Sequence, residues 1–504
     1  MTTTVTRDGY DPVPSQAALR AVDVRVVTTD DTAGLRGLGL PVGPDGDVPQ
    51  ALGLSREALT EWGFTGKTSQ AFVVPRTDAS GAPDAIVAVG TGSDPTAADL
   101  RDAAGTFARA VGKEETVASA LADVPGVPAA EAAQAVVEGI LLGRYRFDQL
   151  RTDPTTVAVR AIVLVVAAER VEAARQGAAR GLVLARAAAV SRDLANAPGG
   201  YLTAPALADV ATRLGAETGL EVTVYDKAQL VELGCGGLLG VNAGSVVEPR
   251  MIKVVYTPAG APTGHLGFVG KGITYDSGGI SLKPSNAMHA AMKMDMSGAG
   301  SVLAAMTTLG ELGATAKVTA FLACTDNMPS GSATKLGDVL TTRSGRTIEV
   351  VNTDAEGRLV MADAIALAHE DGVDAIVDIA TLTGAALMAL GPLTAALMGN
   401  DDDLQALVED ASRSTDERVW RLPLDTRYRP WLDSEIADIK NLGGESAGTI
   451  IAALFLSEWV GTTPWAHLDV AGPMRSDSDD VWRPRGATGF GARTLAEVAV
   501  RFGG

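Results

Sequence analysis

The chain has 504 residues, 46% of them hydrophobic and 20% charged, a balance that excludes extensive disorder and fibrous repeats. That length exceeds what one ordinary core accommodates, so at least two domains are expected. The formal net charge of -19 argues against generic binding to nucleic-acid backbones.

The N-terminus, MTTTVTRDGYDPVPSQ, has no apolar run behind a basic start, which predicts no secretory leader and a cytoplasmic protein. Residues 63–68 (GFTGKT) end like a phosphate loop, but Glu61 stands where that pattern needs its first glycine. Residues 85–90 and 157–166 read as buried strands. Asp94 is expected to cap a helix running to about Val111, and residues 129–144 read as another helix. Strands alternating with helices predict a small α/β domain with a largely parallel sheet. Residues 1–170 contain no His or Cys, so no metal site is expected there. A helix over 181–196 stops at Pro198 and the two glycines after it.

These features place a smaller N-terminal α/β domain at 1–175, a linking helix at 176–196 and a larger C-terminal catalytic α/β domain at 197–504. The larger domain is expected to hold a central mixed sheet flanked by helices. Its predicted strands are 266–273, 318–324, 348–352, 375–379 and 466–470, and its predicted helices include 297–312 and 357–369. The apolar stretch 375–399 is broken by Gly384, Gly391 and Pro392. It reads as two buried strands joined by a loop rather than a membrane span. Cys235 and Cys324 form no CxxC pair and read as buried thiols. Gly234 and Gly236 lack the third glycine of a dinucleotide loop. No GxSxG elbow is present.

Two segments gather charge at the ends of apolar strands, where open α/β sheets bind ligands. One is VGKGITYDSGGISLK (269–283) followed by MKMD (292–295); the other is NTDAEGR (352–358). Asp354 and Glu356 are two apart, so an extended chain points both to one side. Carboxylates converging on a poorly hydrated crevice repel unless a cation joins them. Asp276 and Asp295 could complete the cage. Four carboxylates suit Mn, Mg, Co or Zn. Only His289 of the four histidines lies near these segments, which excludes a His-rich zinc site. A lone Asp at a strand end is more often a cap or an ion-pair partner; the joint pattern carries the chemical reading. A dimetal phosphoesterase would share the cage but would bring more basic or His groups for phosphate.

The joint pattern resembles the leucyl aminopeptidase, or cytosol aminopeptidase, family. NTDAEGRL (352–359) and GKGITYDSGGISLK (270–283) carry the resemblance, with weaker echoes at 192–196, 465–469 and 486–491. The resemblance covers residues 192 to the C-terminus. It implies a hydrolase that removes single residues from peptide N-termini, leucine and other apolar residues first. It implies two divalent ions, Mn or Zn, the tight one on Lys271, Asp276, Asp295 and Glu356 and the exchangeable one on Asp276, Asp354 and Glu356. Lys283 and Arg358 match the family's two non-ligand catalytic positions, Arg358 holding a bicarbonate base. Met292, Thr381 and Gly384 match positions lining the pocket for the first side chain. The stretch between Lys283 and Asp295 is one residue longer than the usual spacing, an insertion within 284–291. The family also implies a homohexamer. Some of its members bind DNA, and a DNA-binding regulator is the reading from another functional class; the acidic charge opposes it.

Overall fold

The structure, a computed structural model, describes residues 9–28, 36–77 and 83–503. Contacts divide it into two compact units. The smaller consists of Pro14–Ala189 and Ser476–Gly486; the larger consists of Met1–Val13, Val190–Arg475 and Ala487–Gly504. The chain passes from one to the other inside the helix Val171–Asn196, which starts ten residues before the predicted Gly181. Those extra residues follow a short turn at Ala168–Arg170 and are rich in Ala, Glu, Arg and Gln, good helix formers that offer no sharp start signal.

The smaller unit is built on a six-stranded sheet. Its strands run in the order Asp23–Thr28, Ala161–Val166, Thr116–Ser119, Leu38–Val42, Pro83–Gly90, Ala71–Thr77. All neighbours are parallel except the last pair, so the sheet is largely parallel as expected. The helix Ala129–Arg144 lies where the sequence places it. Its partner is Ala97–Ala110, and Thr96 rather than Asp94 caps it. The Thr96 side chain accepts from Asp99 N while Asp99 reaches back to Thr96 N, a reciprocal capping box that the Asp-Pro pair before it obscured. The two helices approach through Gly105, Gly139 and Gly143; a Cβ at Gly139 would stand 2.3 Å from the Arg101 carbonyl oxygen. A fully buried Arg101–Glu138 pair (2.8 Å) crosses the same contact. GFTGKT is a structural connection: Phe64 is buried in the core, Thr68 Oγ1 donates to the Thr91 carbonyl, and Gly66 is pressed against Gly43.

The larger unit carries an eight-stranded mixed sheet. Four parallel strands form its centre: Trp465–Asp469, Ala375–Ala380, His265–Asp276 and Lys317–Asn327. Antiparallel pairing to Ala395–Gly399 on one side and Arg250–Tyr256 on the other makes it mixed. Val419–Arg421 and Glu221–Tyr225 are the edges. The central strands are buried almost throughout, as expected for strands covered on both faces. A three-stranded sheet, Val339–Thr341, Thr347–Glu349 and Ile439–Lys440, lies apart from it.

Three expectations are corrected here. The helix predicted over 297–312 breaks into Ser297–Met306 and Leu309–Leu312, because Thr307 and Thr308 turn their hydroxyls onto the carbonyls of Ala304 and Ala305. The strand predicted at 348–352 is Thr347–Glu349; Val350 to Asn352 already belong to the site loop. Within 375–399 the connection contains a helix, Gly384–Leu390, capped by Thr383. Gly384 and Gly391, read as breakers, are its first residue and its C-terminal stop. Among the described residues, no helix is long and apolar enough to cross a membrane.

Candidate active site

Both charged motifs meet at the ends of the parallel strands. Lys271 extends from His265–Asp276 into the interior, with 3% of its surface exposed. Its Nζ lies 2.8 Å from Asp295 Oδ2, 2.8 Å from Glu356 Oε1 and 3.0 Å from the Thr381 carbonyl oxygen. Such a buried lysine needs room for its stem. Gly357, at the start of the helix Gly357–Glu370, provides it: a Cβ there would stand 2.5 Å from Lys271 Cε. Burial alone would depress the ammonium, but Asp295, Glu356 and Asp276 outweigh it and hold the group above its usual range.

Asp276 closes the same strand. Its Oδ1 accepts from Gly278 N and Asn327 Nδ2, both at 2.8 Å, and its Oδ2 pairs with Lys283 Nζ at 2.8 Å. Lys283 also reaches Asp354 Oδ1 at 2.6 Å, so one ammonium links the two motifs. The loops are clasped independently: Thr353 Oγ1 donates to the Gly278 carbonyl and accepts from Ser281 N. Gly278 adopts φ +89, and a Cβ there would stand 2.7 Å from Asp354 Oδ1. Its glycine is therefore required both by backbone conformation and by the approach of the second loop.

Asp276, Asp354 and Glu356 each offer an oxygen, and these atoms lie within 4.8 Å of one another. Asp295 is joined to them through Lys271. Burial and the charge of Asp276 push Glu356 up, and burial pushes Asp295 up. Asp354 is also raised, by burial and by Asp276. Glu356 Oε2 is buried without a hydrogen-bond partner. An orphaned carboxylate oxygen among crowded acids fits a cation, and the all-oxygen set with one amine suits a hard or borderline divalent metal.

Arg358 sits one helical position beyond Gly357 with 5% of its surface exposed. It donates from Nη1 to the Asn441 carbonyl (2.8 Å) and lies 5.9 Å from the Phe455 ring centre. Its Nε is buried without a partner, and no carboxylate pairs with it among the described residues. Burial pulls the guanidinium down to about 10. An unpaired buried cation with a free donor is arranged for an anion.

The three pocket positions separate. Thr381 Oγ1 donates to Asp295 Oδ1 at 2.6 Å, so its side chain braces an acid of the cluster. Met292 is buried in the turn Ala291–Met294, directly before Lys293. Gly384 is exposed, with open space where a Cβ would stand. Three positioning residues were not singled out from the sequence. Asn327 Nδ2 bridges Asp276 and the Thr353 carbonyl, tying the two loops together. Asn441 accepts from Val351 N as well as Arg358. Asp469 accepts from Leu382 N and Thr383 Oγ1, setting the turn after Thr381. Only Asp469 falls within a motif, the echo at 465–469; Asn327 ends an apolar strand, which is its one signal.

Sequence comparison matches residues 189–496 to the cytosol aminopeptidase family, catalytic domain, and residues 47–154 to the N-terminal domain of the same family. A probable cytosol aminopeptidase of Chlorobaculum tepidum is 41% identical over 487 residues, covering 92% of each chain. One of Streptomyces avermitilis is 41% identical over 502 residues, covering 96% of each. Among solved structures, the bottromycin maturation enzyme BotP in complex with Mn superposes with a TM-score of 0.84 at 40% identity, covering 96% of this chain and 100% of its own.

Proposed function

The chain belongs to the cytosol aminopeptidase family and is a hydrolase of the aminopeptidase class, and on that premise we propose that its crevice holds two divalent ions and releases apolar N-terminal residues, leucine foremost. The observation that carries the proposal is the cluster of Asp276, Asp354 and Glu356 around the orphaned Glu356 Oε2. The tight ion falls to Lys271, Asp276, Asp295 and Glu356, and the exchangeable ion to Asp276, Asp354 and Glu356. When bound, the ions supply Lewis acidity and make water easy to deprotonate near neutral pH.

The side chains have separate tasks. Lys271 would ligate as a neutral amine, its proton released to solvent when the ion binds. Lys283 is freed from its pairing with Asp276 and Asp354 and donates to the scissile carbonyl oxygen as negative charge develops there. Arg358, too basic to exchange a proton at neutral pH, holds a bicarbonate in its planar fork as the proton acceptor. Met292, Thr381 and Gly384 border the pocket for the first side chain. Of the metals, Mn is favoured by its presence in the BotP complex, and Zn by the family resemblance. A cytoplasmic homohexamer completes the reading. Release rates across a panel of aminoacyl amides, with and without each metal, test it: leucyl and methionyl amides should lead, and a flat profile across side chains would remove the apolar pocket.

A further inference from the structure

We propose that the smaller unit carries a second binding site, for a phosphorylated small molecule, in the cavity walled by Arg109, Arg144, Arg146, Thr155 and Thr156. The cavity measures about 370 Å³, within the range that small-molecule sites occupy. A second hollow of about 380 Å³ shares Arg109 and Gly112 with it and adds Lys113 and Glu114 to the walls. In a chain of net charge -19, three guanidiniums facing one cavity run against the general excess of acids.

Ion pairs account for only one of the three. Arg144 donates only to backbone carbonyls: Ala108 and Val111 from Nη1, and Gly112, Glu114 and Val157 from Nη2. It staples the cavity wall and forms no ion pair among the described residues, although Glu114 acts on its charge. The Arg109 side chain forms no ion pair among the described residues, and its Nη1 is buried without a hydrogen-bond partner. Burial and the like charge of Arg146 both pull Arg109 down, although Asp479, Asp480 and Asp102 act on it from a distance. Arg146 alone has a carboxylate, Asp479 at 2.6 Å, half-exposed and open to exchange with a ligand oxygen. Asp480 is occupied by Arg483.

An orphaned donor on a partly buried cation is costly unless something accepts from it. The forked guanidiniums of Arg109 and Arg146 favour a tetrahedral dianion with several acceptor oxygens, and the exposed Thr155 and Thr156 line the same cavity. The paired hollows leave room for the organic part of a phosphomonoester.

The test is calorimetric titration of the metal-loaded, full-length protein in phosphate-free buffer. The probes are inorganic phosphate, ribose 5-phosphate and citrate. The expected result is saturable binding of a phosphate-bearing probe, weakened about tenfold or more by Arg109→Gln and less by Arg146→Gln. Peptide hydrolysis by both variants should be unchanged. Tighter binding of ribose 5-phosphate than of phosphate would identify an organic ligand, and the reverse order a free ion. Arg146 is at the surface, so Arg146→Gln keeps the test valid if the other variant does not fold. Absence of saturable binding, equal binding by wild type and both variants, or binding of citrate alone would overturn the proposal.

Discussion

Lys283 and Asp354 show how much rests on single side chains. Lys283 spans Asp276 and Asp354 without being needed to bury either, so Lys283→Ala should fold and keep both metals. Its kcat should fall by roughly 10²–10³, the scale of one lost oxyanion donor, with a smaller change in KM. Arg358→Ala should lose less, since bulk bicarbonate or water can still accept the proton. Asp354→Ala should empty the exchangeable position, which elemental analysis would detect. Wild-type kcat with full metal content in Lys283→Ala would remove Lys283 from the mechanism. The charged residues were legible because two motifs concentrate them at strand ends. Asn327 and Asn441 were not, because a neutral amide that ties loops together has no sequence period and no unusual neighbour. Thr381 was expected on a pocket wall, and a hydroxyl bonded to Asp295 can be recognised only once the strands are aligned.

At the scale of elements, long periodic segments were legible and their ends were not. Helix Ala129–Arg144 follows from its pattern, whereas Thr96 competed with Asp94 two positions earlier for the same role. Thr96→Ala should therefore destabilise the smaller unit by about 0.5–2 kcal/mol, and Asp94→Ala by far less, as read by chemical denaturation. Helix Gly357–Glu370 offers a second test. Its Asp363 accepts from Leu238 N (2.9 Å) and Arg343 N (2.8 Å), joining it to the helix Gly236–Asn242 and to the turn after Val339–Thr341. Burial pushes this carboxyl up to about 7 against those hydrogen bonds. Its folded value lies above the ordinary one. Its contribution to stability is therefore complete at low pH and is lost as pH rises through about 7. Asp363→Asn should flatten the fall in melting temperature between pH 5 and pH 8; an unchanged slope would mean that Asp363 stays ionised in the fold.

On the whole molecule, the alternation of strands and helices foretold two α/β bodies, and the motifs foretold which one does the chemistry. The return of Ser476–Gly486 to the smaller unit has no local signal, because the paired strands at its ends, Arg475–Ser476 and Gly486–Ala487, are only two residues long and leave no pattern. If the carboxylate cluster is a metal centre for substrates with a free N-terminus, activity must follow both the metal and the free amine. Both are read from hydrolysis of leucyl peptides, free and N-acetylated, by protein stripped of metal to a level verified by elemental analysis and then reloaded. The expected result is no activity when stripped, recovery with Mn, Co or Zn on the free peptide, and none on the blocked one. Full activity in the verified metal-free protein, or equal cleavage of both peptides, would overturn the metal-centre reading.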